Sequence, residues 1–223
     1  MSIDGLTVVG DVPAAFAERV IEAFGARPDD TFSLALSGGS TARRCYECLA
    51  EEGGTRVDWW KVDVYWGDER CVPHDHQDSN YRLAREALLD RVGAANATHL
   101  MRCAEVDAYQ LRVGDLGRFD LVHLGVGPDG HTASLFAGAE ALDADPGRLV
   151  ALTEDPSGRN PYPRMTLTPA GIARARLVVV TVEGEAKAEA LAAVARGDDV
   201  PAARIAAERV LWLVDEAAAS RLP

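Results

Sequence analysis

Three features of the sequence predict an α/β fold, a mainly parallel sheet with helices on both faces in the Rossmann manner. Short apolar runs alternate with stretches of helical period, the runs are short enough for strands, and several end in glycine-rich or polar loops. Such strand–loop–helix repetition builds parallel sheets, because each crossover lays a helix on a sheet face. Ligands of these sheets bind beyond the carboxyl ends of the strands, where the polar loops here fall.

Val12, Phe16, Val20 and Phe24 recur every fourth residue and predict an amphipathic helix. Residues 32–36 read as a buried strand that ends at Ser37-Gly38-Gly39-Ser40-Thr41, with a helix following. A second strand is expected over 62–66 and a helix over 80–91. The third strand, 119–124, runs into a glycine-rich loop, 125–131. A fourth strand (177–182), a helix (185–195), a fifth strand (210–214) and a short helix (215–220) complete the pattern. Residues 1–223 are expected to form one domain, with the proline- and glycine-bearing segment 143–163 as a mobile flap within it.

With 48% hydrophobic and 26% charged residues the composition is that of a folded core. No apolar run reaches the roughly 20 residues that span a bilayer. The N-terminal residues lack the basic start and long apolar stretch of a signal peptide, so a cytoplasmic location is expected. A net charge of −12, from 35 acidic and 23 basic residues, argues against nucleic acid and anionic membranes as partners. A small molecule remains the expected partner, and monomer and dimer stay open. If that molecule is an anion, the few cations near it must be placed for it. Of the four cysteines, Cys45 and Cys48 form a C-x-x-C on a helix, where they share a face with Leu49. No second pair supplies the remaining ligands of a zinc site, so core packing is expected and no metal.

Three loops and two cations carry the candidate chemistry. In Ser37–Thr41, two glycines let backbone amides converge ahead of a helix N-terminus, which suits a phosphate; a Gly-Gly turn with a hydroxyl cap also begins many ordinary helices. Gly67-Asp68-Glu69-Arg70 follows a strand, and its charges are either a solvated turn or a group assembled for binding. In Gly125–Ser134, Asp129 and His131 lie two residues apart among glycines. A carboxylate against an imidazole fixes the ring tautomer and suits a general base near neutral pH. A helical stretch is expected just after His131, with amides to stabilise an oxyanion. His123, inside an apolar strand, reads as a core residue, and His74, His76 and His99 as surface or loop residues. Arg164 and Lys187 complete the set. Lys187 sits in the first turn of a helix, opposed to the helix dipole, a placement that makes sense with an anion between them.

Taken in order, SGGST (37–41), YWGDERCVP (65–73), DSNYR (78–82), GVGPDGHTASLF (125–136), PRMTLT (163–168), AKAEAL (186–191) and LWLVDEAA (211–218) resemble the 6-phosphogluconolactonase family, of the glucosamine-6-phosphate isomerase/deaminase superfamily. The resemblance spans nearly the whole chain. It implies a sugar-phosphate isomerase/deaminase-like fold and hydrolysis of 6-phosphogluconolactone without a cofactor. It further implies that His131 activates water and Asp129 orients it, and that Gly38, Gly39, Ser40, Thr41, Arg164 and Lys187 bind phosphate. Arg70 would contact the substrate beside Asp68. An arginine after the Asp-Glu pair, where deaminases carry an aromatic residue, favours the lactonase branch.

Overall fold

The computed structural model describes residues 3–222. A short strand β1 (Leu6–Val8) leads to α1 (Val12–Gly25), whose start is fixed by Asp11: its carboxylate accepts the Ala14 amide at 2.9 Å, and Pro13 follows the cap. Val12, Phe16, Val20 and Phe24 are all buried, as their spacing predicts. Next come β2 (Phe32–Leu36), α2 (Ser40–Gly53), β3 (Val62–Trp66) and a three-residue strand β4 (Asp68–Arg70). The helix expected over 80–91 is present but not uniform: α3 (Asn80–Ala84) passes through a π turn (Arg85–Leu89) into α4 (Asp90–Val92). Then follow β5 (Ala97–Thr98), α5 (Val106–Leu116), β6 (Phe119–Gly125), β7 (Val150–Thr153), β8 (Arg164–Leu167), α6 (Pro169–Ile172), β9 (Ala175–Val182), α7 (Ala188–Arg196), β10 (Arg209–Val214) and α8 (Glu216–Ala219).

Seven strands form a parallel sheet in the order β1-β10-β9-β6-β2-β3-β5, covered by helices on both faces. Its central strands are buried, β2 at all five residues, as a strand covered on two faces requires. The β2–β6 ladder is stitched by Asp120, whose carboxylate accepts the Ser33 amide at 2.8 Å and the Ser33 hydroxyl at 2.9 Å. From β2 the chain moves to β3 on one side, whereas from β6 it moves to β9 on the other. The topological switch point therefore lies between β2 and β6.

A second, antiparallel sheet of order β4-β8-β7 was not anticipated from sequence. It turns GDER and PRMTLT, separated by nearly a hundred residues, into neighbouring strands, with Arg70 in register with Arg164 and Asp68 with Thr166. It also revises the flap expected over 143–163. Residues 150–153 are a strand paired with β8, and they divide the irregular chain into 144–149 and 154–163. Cys45 is buried and Cys48 half-buried, as core packing predicts. The other two cysteines pair in a Cys71–Cys103 disulfide, Cα–Cα 5.6 Å, that ties the segment after Arg70 to the turn ahead of α5.

Closing a loop of this size by a disulfide restrains the unfolded chain by about 3–4 kcal/mol. Replacing both Cys71 and Cys103 by Ser should lower the unfolding free energy by roughly 2–4 kcal/mol in urea titrations of the oxidised protein. An equal stability of the two forms would show that the bridge does not constrain the chain in solution.

Candidate active site

The loops after β2, β3, β6 and β9 open onto one cleft of about 820 Å³, counted out to its mouth. Ser37, Gly38, Gly39, Ser40, Thr41, Asp68, Arg70, His131, Arg164 and Lys187 all line it, and Asp129 is bonded to His131 from behind. The residues that the family resemblance implicates thus belong to one place.

The β2 loop leaves the strand through Ser37 and turns at Gly39, whose φ of 102° only glycine adopts freely, to enter α2. Gly38 is required for a different reason: a Cβ there would sit 1.8 Å from Asn80 Oδ1. α2 has no side-chain cap, so the first amides of a fourteen-residue helix are left facing the cleft mouth.

Beside this loop, β4 carries three charges with different fates. Glu69 is 2% exposed, and its carboxylate accepts the amides of Arg70, Asn80 and Tyr81 and the Ser79 hydroxyl, so it organises the start of α3 and takes no part in the cleft. Asp68, 5% exposed, accepts the Ser134 hydroxyl at 2.5 Å and the Asn80 side-chain Nδ2 at 3.1 Å, and lies 3.8 Å from Arg164. Both charges are therefore buried and paired, and the solvated-turn reading of this loop does not hold. Arg70 donates to the Asp78 carbonyl at 2.5 Å and keeps its Nε unpaired. Arg164, 6% exposed rather than at the surface, makes one long bond to Ser134 at 3.4 Å, and its Nε is also unpaired. Burial pushes the Arg164 guanidinium down from its ordinary range, with Asp68 opposing. Two arginines directly opposite on adjacent strands repel. A buried guanidinium with idle donors is costly unless an anion completes it.

In the β6 loop, His131 Nδ1 lies 2.5 Å from Asp129 Oδ1, which also accepts the His131 amide at 3.2 Å. Burial raises the Asp129 carboxyl, but the charge and hydrogen bonds of His131 outweigh it, and the net displacement is downward. Asp129 therefore stays ionised at neutral pH. Nδ1 is thus engaged, and Nε2 has no protein partner among the described residues. Gly127 makes this pairing possible, since a Cβ there would stand 2.2 Å from the imidazole and 2.7 Å from Asp129 Oδ1. The helix expected just after His131 is absent. The chain turns instead at Ala133, φ 48°, closed by the Leu135 amide to the Thr132 carbonyl, while Thr132 donates back to the Gly125 carbonyl. Any oxyanion donors must come from turn amides or side chains.

Lys187 lies at the start of α7 and makes no ion pair among the described residues. Burial pushes its ammonium down, and nearby Asp129 partly restores it. His123 is buried, as its place in an apolar strand predicts, and desolvation pushes it down to about 3. Asn80, Ser134 and Tyr46 were not singled out from sequence, although Asn80 and Ser134 lie inside DSNYR and GVGPDGHTAS.

A histidine–aspartate pair facing idle cations across the switch point of an α/β sheet has the parts of a hydrolytic enzyme for an anionic substrate. A family profile described as glucosamine-6-phosphate isomerases/6-phosphogluconolactonase matches residues 8–212, and the chain belongs to that family. A 6-phosphogluconolactonase of Synechocystis is 38% identical over 224 residues, spanning 92% of this chain and 89% of its own. One from Mycobacterium tuberculosis is 35% identical over 234 residues, 94% of each chain. The 6-phosphogluconolactonase structure from Trypanosoma brucei superposes with a TM-score of 0.82 at 28% identity, covering 100% of both chains. That from Thermotoga maritima gives 0.81 at 29%, covering 94% of this chain and 98% of its own. A glucosamine-6-phosphate deaminase, 17% identical at a TM-score of 0.81 over 99% of this chain and 100% of its own, shares the fold.

Two outcomes are expected from this geometry. Gly127→Ala, which pushes the imidazole off Asp129, should cost about 100-fold in turnover while the protein still unfolds cooperatively. His123 binds a proton in the unfolded chain below its ordinary value of 6.5 but not in the folded one until about pH 3. Its contribution to stability is therefore present above pH 6.5 and lost as pH falls. Between pH 6 and 4 the slope should approach about 1.4 kcal/mol per pH unit for this group, and His123→Asn should remove that component from urea titrations across pH.

Proposed function

We propose that the protein hydrolyses 6-phospho-D-glucono-1,5-lactone to 6-phospho-D-gluconate, the lactone-opening step of the oxidative pentose phosphate pathway, with His131 as general base. The observation that carries this reading is the shared cleft, lined by an amide cradle, unpaired cations and an imidazole oriented by a carboxylate. Relatives named as 6-phosphogluconolactonases over most of the chain support the choice of substrate.

In this mechanism the amides of Gly38, Gly39, Ser40 and Thr41, with Arg164 and Lys187, hold the phosphate. Asp129 accepts Nδ1–H, which leaves the Nε2 lone pair of His131 to take a proton from water as the water oxygen bonds to C1. The tetrahedral oxyanion is stabilised by the guanidinium of Arg70, which lines the cleft. Collapse breaks the bond from C1 to the ring oxygen, which takes the proton from the imidazolium, and His131 returns to its neutral form. Asp68 orients Arg164 through a shared partner, Ser134. A lactone is an activated ester, so binding energy from the distant phosphate goes into placing C1 against the water.

The test uses freshly generated lactone, with the unphosphorylated lactone beside it and the spontaneous rate subtracted. His131→Ala should lower kcat by about 10²–10⁴-fold with product affinity nearly unchanged. Lys187→Met and Arg164→Ala should instead raise KM by roughly ten- to a hundredfold. Wild-type turnover by His131→Ala would refute the base, and release of ammonia from glucosamine 6-phosphate without lactone hydrolysis would refute the substrate.

A further inference from the structure

We propose that Tyr46 is the positioning residue of the phosphate loop, and that His123 holds it in a single hydrogen-bonding pattern as the neutral Nδ1–H tautomer. This inference rests on the reading of Gly38–Thr41 as a phosphate cradle.

Tyr46 rises from α2 into the core and is fully buried, as is His123. Its hydroxyl accepts the Ser37 amide at 2.6 Å, lies 2.9 Å from the Ser37 carbonyl and lies 3.0 Å from His123 Nδ1. On the far side of the imidazole, Nε2 is 2.8 Å from the Thr181 hydroxyl. The Ser37 hydroxyl, in turn, donates to the His123 carbonyl at 2.7 Å. Ser37, the first residue of the loop, is thus held at its amide, its carbonyl and its side chain.

Counting protons decides the arrangement. A phenol has one hydrogen and two lone pairs. One lone pair is filled by the Ser37 amide. If the hydroxyl hydrogen went to Nδ1, the Ser37 carbonyl would lose its partner in the protein interior. If it goes to the carbonyl, the second lone pair receives Nδ1–H, and every contact is satisfied. Nε2 is then the acceptor of the Thr181 hydrogen. Burial without a carboxylate keeps this imidazole neutral across the working range, so the pattern does not change with pH.

The consequence falls on the glycines. Gly38 and Gly39 have wide conformational freedom, and aligning their amides on a phosphate costs entropy unless the preceding residue is already fixed. Pinning Ser37 supplies that preorganisation. It also occupies the Ser37 amide, so the cradle begins at Gly38. Tyr46 touches no substrate, and its effect is transmitted through Ser37.

Tyr46→Phe keeps the ring and removes the pins. It should raise KM for the phosphorylated lactone, and Kd for 6-phosphogluconate, by about tenfold. Its kcat should stay within about threefold, with hydrolysis of the unphosphorylated lactone unaltered. The amide of Asn can replace Nδ1–H, so His123→Asn should stay close to wild type, whereas His123→Leu should behave as Tyr46→Phe does. Long-range ¹H–¹⁵N spectra of the wild-type protein should show His123 protonated on Nδ1 alone from pH 5 to 9. Equal losses on both lactones, an unchanged KM in Tyr46→Phe, or an Nε2–H tautomer would each overturn the inference. A wild-type protein with no preference for the phosphorylated lactone would instead refute the phosphate reading itself.

Discussion

Because β2 and β6 lie side by side and parallel, with their chains leaving in opposite directions, their carboxyl-terminal loops have no crossover to fill the space between them. A crevice is the geometric result. Its two sides are then furnished by whichever residues follow the strands: Ser37–Thr41 from one, Gly125–His131 from the other. Were β2 and β6 not neighbours, the amide cradle and the imidazole would face different solvent. The Ser33–Asp120 hydrogen bonds, at the opposite end of the same two strands, hold the pairing from which the cleft follows.

The second constraint is electrostatic. In a chain of net charge −12, an anionic substrate is repelled at long range, so attraction must be local. The antiparallel sheet supplies it by placing Arg70 and Arg164 in register, with Lys187 arriving from the β9 side. Buried cations with idle donors strain the unliganded protein. Asp68 compensates one of them only partly, at 3.8 Å, which leaves the guanidinium free to be completed by a ligand. Glu69, adjacent in sequence, is fully consumed by backbone amides. Two neighbouring carboxylates thus divide into one that holds the scaffold and one that adjoins the cleft.

These divisions explain what was legible in the sequence. The central strands were, because an apolar run followed by glycines is a local signal, and so was the common location of the candidate site residues, which cluster in a few short motifs. The antiparallel sheet was not, since β4 has three residues and β8 four, and neither has a period to read; their pairing joins segments far apart in the chain. The burial of Arg164 depended on that same pairing. The helix expected after His131 failed because Gly130 and Ala133 adopt left-handed backbone there, and the turn satisfies its own donors internally. The Cys71–Cys103 bridge depends on the Cα separation in the fold, which spacing along the chain does not reveal.

His123 and His131 bring these arguments together. They stand eight positions apart on β6 and the loop that follows it, yet their surroundings assign them opposite tasks. His123 is fully buried, with no carboxylate bonded to it among the described residues; desolvation holds it neutral, and a neutral imidazole can keep a fixed donor and acceptor at all working pH values. His131 has Asp129 on one nitrogen, and its other nitrogen, at the edge of the cleft, has no partner among the described residues. One ring is held by core groups on both nitrogens, the other by a carboxylate on one nitrogen only. The strand ends between them, which is why the same residue type is fully buried at one position and partly exposed eight residues on.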